Sequence, residues 1–177
     1  MELRMKRRMK LPIKFHTHSH RMVARQADWT VGAIAGFGAG GIVMLLELAF
    51  SAAMGIDVWR TPRLIAALVM GDAVLQGGYS LDVVAAALFV HYVLGAFFGV
   101  VLAAVIAPFQ LDSSMGMVLL AGAVFGTVLY LFNFHAIASV LLWFAELRGW
   151  TTLLGHVVFG MAAALIYWWL ERPAHPA

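Results

Sequence analysis

Glu47, His91, Asn133 and His156 are the residues through which this chain could do chemistry, because each interrupts a long apolar stretch. A polar group inside a bilayer is expensive and marks function by default. Two imidazoles on separate helices can ligate a haem iron from both sides. A haem b held by His91 and His156 would have Arg60 and Arg63 nearby to meet its propionates. Imidazole with carboxylate also suits a transition metal such as iron, copper or zinc. His91, His156 and Glu47 would then be ligands, with Asn133 or His135 completing the shell. A third chemistry needs no cofactor: Glu47 and a histidine pass protons, as in pumps and channels. A fourth reading is structural, a hydrogen-bonded polar core that fixes helix packing.

Whichever chemistry holds, helices in a membrane must position it. The 177 residues are 63% hydrophobic and 12% charged, with a mean hydropathy of +0.88. No soluble domain hides that much apolar surface, so the expected fold is an all-α integral membrane four-helix bundle. Predicted spans cover residues 30–54, 83–107 (stopped by Pro108), 115–135 and 150–170. Each supplies the roughly 20 apolar residues that a crossing needs.

Small residues recur every four positions in these spans, and residues four apart share a helix face. Gly32, Gly36 and Gly40 form one row, with Glu47 seven residues further on. His91 extends a row of Gly95, Gly99 and Ala103, and His156 extends Gly160 and Ala164. Gly122 and Gly126 form the last row, with Asn133 seven residues beyond. Small residues mark where membrane helices approach closely, so the rows should carry the polar groups into the bundle. At 1.5 Å per residue, Glu47, His91 and His156 lie about 9–12 Å from the outer ends of their spans. Asn133 and His135 lie near the outer end of theirs.

Two stretches depart from a plain four-span plan. Residues 63–74 are apolar but too short to cross, and predict an interfacial or re-entrant helix after span one. Pro62 suits its start. Residues 136–147 predict a chain break near Asn133–His135, then an amphipathic surface segment with Trp143 and Phe144 facing lipid. Asp72 is expected to support the site by pairing with Arg60 or Arg63, and Glu146 with Arg148 to form a solvated pair. Trp59, Arg60, Thr61, Pro62 and Arg63 form an outer loop entrance, read as interfacial anchoring by Trp and Arg that could also gate the site or dock a partner.

Eight of the 12 Lys and Arg fall in the first 25 residues. The positive-inside rule then places both termini in the cytoplasm. Residues 1–28 form a basic, His-containing cytoplasmic tail that meets anionic lipid, residues 29–171 the transmembrane domain and residues 172–177 a C-terminal tail. His16, His18 and His20 alternate along that tail, a weak metal tract at most and more simply a solvated segment. No aromatic or groove-reading element accompanies the charge, so no nucleic acid is expected as partner. The absence of cysteine excludes disulfides and thiolate metal sites. No phosphate loop, nucleophile elbow or zinc-protease pattern appears, and an enzymatic role is not indicated. The ten methionines are scattered, as gap-filling residues are.

The segments GIDVWRTPRLIAALVMG, HYVLGAFFG, VFGTVLYLFNFH and GHVVFGMAAALIY resemble a group of small, largely uncharacterised bacterial inner-membrane proteins. The resemblance covers roughly residues 30–170 and implies four spans in a bacterial inner (cytoplasmic) membrane. Some members carry an automatic label of sodium:proline symporter. This chain is far shorter than such carriers and lacks their paired broken helices. The expected function is a small accessory or assembly subunit of a membrane redox or metal-handling system. Its partners would be the lipid bilayer and other membrane subunits or copies of itself. The alternatives are an oligomeric proton or ion conduit using Glu47, and a purely structural scaffold.

Overall fold

A computed structural model describes residues 25–171. Four helices are long and apolar enough to cross a membrane. They are α1 (Trp29–Ala53), α3 (Leu81–Phe109), α4 (Met115–Leu131, its span continuing to Ser139) and α5 (Trp150–Glu171). The short α2 (Arg60–Met70) follows α1. No strand occurs among the described residues. The predicted all-α bundle of four spans with short elements after spans one and three is what the chain forms.

Local chemistry sets the ends of these helices. Asp28 caps α1 by accepting from the Val31 N–H at 3.0 Å, and Ser114 caps α4 by accepting from Met117 at 3.3 Å. Such caps satisfy amides that a helix start leaves without partners. Pro108 does not stop α3 at Ala107, since the helix continues to Phe109. Gln110 then turns left-handed (φ 52°). The amides of Gln110 and Leu111 reach back to the carbonyls of Ala107 and Ile106 at 3.3 and 3.1 Å. That paired closure ends the helix by satisfying its last carbonyls.

The predicted small-residue rows are the helix seams. α1 packs on α3, α4 packs on α5, and α1 meets α5 to join the two pairs. A Cβ placed on Gly36 would strike the Gly95 carbonyl and sit 2.7 Å from the Gly99 Cα. A Cβ on Gly126 would strike the His156 carbonyl and sit 2.9 Å from the Val157 Cα. Backbone therefore meets backbone at both seams, which only glycine permits. The densest core, with Leu102, Ile106, Val118 and Tyr167 fully buried, fills the half of the bundle nearest the described ends of the chain. This half is the terminal face. Arg25 ties it together, binding Asp112 at 2.6 Å and Glu171 at 3.2 Å, while Trp168 donates to the Asp112 carbonyl at 2.9 Å.

The opposite end, the loop face, departs from expectation in several places. α2 begins at Arg60, with Pro62 inside its first turn, where a missing N–H costs nothing. The chain does break where predicted, through a π-helical turn at Phe132–Ala136. Residues beyond it form two short 3-10 turns, Ile137–Ser139 and Leu142–Leu147, in place of a regular surface helix. Phe144 is buried and stacks on Phe134 at 5.7 Å, so it does not face lipid. Trp143 packs partly against the same cluster. A 3-10 turn rotates side chains by 120° per residue, which sends Phe144 inward and leaves Leu142 exposed.

Candidate functional site

A cavity of about 520 Å³ opens in the loop-face half of the bundle. Glu47, His91, Asn133 and His156 all line it. The four groups expected to converge are therefore brought to one place. Each is positioned by its own helix, from α1, α3, the π-helical turn and α5 respectively. The seams explain the opening: glycine holds the helices at backbone contact as far as Gly36 and Gly126, and at Gly40 the facing atoms are already those of the His91 ring.

The polar groups are not sealed in, contrary to expectation. No polar or charged side chain is fully buried among the described residues. Glu47 is exposed, and His91, Asn133 and His156 are half-buried. Leu46, Leu94 and Leu154 line the cavity yet stay 53%, 39% and 50% exposed, so it is open at the depth of the spans. Phe50, Phe98, Phe134, Phe144 and Phe159 add aromatic walls.

Hydrogen bonding fixes each imidazole. His91 Nε2 lies 2.9 Å from the Gly40 carbonyl oxygen. A carbonyl only accepts, so Nε2 carries a proton, and in the neutral imidazole Nδ1 is then the lone-pair nitrogen. In His156 the roles are reversed. Its Nδ1 donates to the Thr152 carbonyl at 2.9 Å, which leaves Nε2 as acceptor. The Asn133 amide approaches that Nε2 at 3.4 Å, too far for a strong bond. Phe134 packs edge-on against the His156 ring at 5.3 Å. Each histidine thus has one ring nitrogen tied to backbone and one lone pair on offer, the arrangement that orients metal-ligating imidazoles.

Glu47 Oε1 accepts from the Thr61 hydroxyl at 2.8 Å, which links α1 to α2. The sequence places Thr61 in the outer loop entrance but not against Glu47, and the turn of the chain after α1 brings the two together. Among the described residues no three His, Asp or Glu side chains gather as a metal-ligating group. A non-haem ion would not find a three-ligand shell in this arrangement. Two imidazoles from different helices, His91 on α3 and His156 on α5, do line the one cavity.

The remaining predicted residues lie around the mouth or outside it. Arg60 lines the mouth and meets Glu146, donating to its carbonyl at 3.3 Å and lying 3.5 Å from its carboxylate. Arg63 binds Asp57 at 2.6 Å and does not line the cavity. Neither arginine pairs with Asp72, which sits exposed at the start of a separate 3-10 turn beyond α2. Asp57 intercepts Arg63 because it precedes α2 by one turn of chain, where Asp72 lies past its far end. The Trp59 amide, then Arg63, hold the Asp57 carboxyl below the usual carboxylate range. Arg148 donates to the Phe134 carbonyl at 2.5 Å and leaves Glu146 to Arg60. Trp59 packs on Tyr79 at 4.7 Å. His135 is exposed beside Tyr130 and does not line the cavity. His16, His18 and His20 lie outside the described residues.

A smaller cavity of about 80 Å³ adjoins the first and shares Glu47, Ser51, Thr61, Ile65 and His91 with it. The Glu47–Thr61 pair and the His91 ring form the partition. Comparison of the chain with protein-family models, with curated proteins and with solved structures finds no match, so the function is argued from this geometry.

Proposed function

We propose that this chain is a small accessory subunit of a bacterial inner-membrane redox system, holding one redox-active guest in the loop-face cavity. The observation that carries this reading is the pair of imidazoles. His91 and His156 come from different spans, line one cavity and each keep one ring nitrogen as a lone pair. A haem b would be held by these two imidazoles, with Arg60 at the mouth to meet a propionate. The haem would supply one-electron chemistry, while the chain orients the rings through the Gly40 and Thr152 carbonyls. Partner subunits or further copies of the chain would dock on the exposed span faces, and both termini would lie in the cytoplasm.

The test is the optical spectrum, metal content and organic extract of the detergent-purified protein. A Soret band lost in His91→Ala or His156→Ala would establish haem. A colourless protein with neither metal nor an extractable guest would overturn the reading. The shared partition between the two cavities favours a second reading, in which Glu47 and His91 relay protons between them. Proton flux in proteoliposomes, abolished by Glu47→Gln, would support that relay, and flux no greater than in empty liposomes would remove it.

A further inference from the structure

The polar belt of the large cavity has an unbalanced hydrogen-bonding character. In the neutral imidazoles His91 Nδ1 and His156 Nε2 are lone-pair nitrogens, because their partner nitrogens donate to backbone carbonyls. Glu47 uses Oε1 on Thr61, which leaves Oε2 as a further acceptor. Asn133 supplies the donor among these four groups, an amide that rests 3.4 Å from His156 Nε2. These four groups thus accept more than they donate, with the Ser51 hydroxyl and Arg60 elsewhere on the cavity wall. Phenylalanines flank it, and the cavity opens at span depth beside Leu46, Leu94 and Leu154. A fitting guest carries two hydroxyl donors on a flat ring and an apolar tail that runs out into hydrocarbon.

We propose that the cavity binds the reduced, hydroquinone form of a membrane quinone, with its hydroxyls donating to His156 Nε2 and to His91 Nδ1 or Glu47. The inference rests on the reading of this cavity as the guest site of a redox subunit. The oxidised quinone carries only carbonyl acceptors at the same positions. It would face the imidazole lone pairs and the carboxylate with nothing to donate. A site whose polar groups are left unpaired by an analogue rejects that analogue. A polar group left without its hydrogen bond is penalised in proportion to its burial, and here the two imidazoles are half-buried while Glu47 is exposed. The expected preference for the reduced form is therefore modest, about tenfold.

The experiment uses the full chain in phosphatidylcholine nanodiscs under argon. The probes are 2,3-dimethoxy-5-methyl-6-prenyl-1,4-benzoquinone, its hydroquinone and the dimethyl ether of that hydroquinone. Binding is read as saturable quenching of tryptophan fluorescence, since Trp150 lines the cavity, with empty nanodiscs subtracted. The hydroquinone should bind about tenfold more tightly than the quinone or the ether. His156→Gln and Glu47→Gln should each remove most of that preference. Val158→Phe, which puts a larger side chain on the cavity wall, should abolish binding of all three. Retained helicity and a single monodisperse peak are required of each variant. Equal affinity for the three probes, or no saturable binding, overturns the proposal. If a Soret band lost in His91→Ala accompanies that failure, the redox-subunit reading survives without the hydroquinone. If no guest of any kind is found, both fail.

Discussion

The two halves of this bundle are built from the same helices and behave as opposites. In the terminal-face half, glycine rows bring backbone against backbone, and Leu102, Ile106, Val118 and Tyr167 are fully buried. In the loop-face half, the same stripes carry His91, His156, Glu47 and Asn133, and the helices enclose a cavity of about 520 Å³. Without a hydrophobic drive between helices in lipid, close packing is what holds spans together. The closed half supplies that packing. The open half then holds its polar groups around an unfilled space without threatening the fold.

The contrast is broken most severely at a seam. Gly36→Val or Gly126→Leu forces a side chain into opposing backbone, which cannot step aside. Overpacking of this kind costs about 3 kcal/mol at its upper range. We expect either variant to lose most of its folded, monodisperse fraction in detergent, as seen by gel filtration. Truncations sharpen the contrast. Leu102→Ala in the closed half should cost about 2–5 kcal/mol, as for other large cavities cut into a core. Leu94→Ala, in the wall of an existing cavity, should cost less than about 1 kcal/mol, because little packing is lost. Thermal unfolding in one detergent compares the two directly.

The face clamps should matter less than the seams. Arg25→Ala removes both ion pairs of the terminal face, but its side chain is 41% exposed. The expected loss is under about 1 kcal/mol and should shrink further as salt rises. On the loop face, the depressed Asp57 carboxyl has a defined sign. A group whose native value lies below its unfolded one contributes fully above the unfolded value. That contribution is lost as pH falls from about 3.9 through the native value. The protection of amides at the start of α2, taken relative to their intrinsic exchange rates, should therefore fall in that acid window. In Asp57→Asn that protection should already be lower at neutral pH and stay flat through it.

Much of this contrast was legible in the sequence, because it rests on periodicity. The glycine and alanine rows predicted the seams, and polar residues on the same stripes predicted the convergent belt. Hydropathy and length gave the four spans, and Asn133–His135 marked the break. What escaped was set by distance along the chain. Arg60 meets Glu146 across 86 residues, and neither residue's neighbours announce the other. Arg25 joins Asp112 and Glu171 because three segments end at one face. Phe144 turned inward because tight 3-10 turns replaced the helix that periodicity implied. The exposure of Glu47 was hidden for a related reason. A row of small residues reports where helices touch, and says nothing of where they part.

The most direct test of the central contrast uses the natural lack of cysteine in this chain. Single substitutions Leu94→Cys, Thr152→Cys and Val158→Cys place a thiol in the cavity wall, and Leu102→Cys and Val118→Cys place one in the closed half. The rate of reaction with a small water-soluble thiosulfonate would be measured for each in nanodiscs. The account predicts rapid labelling at the three cavity positions and almost none at the two closed ones. Equal, slow labelling at all five would contradict it, because the loop-face half would then be as tightly sealed as the terminal face.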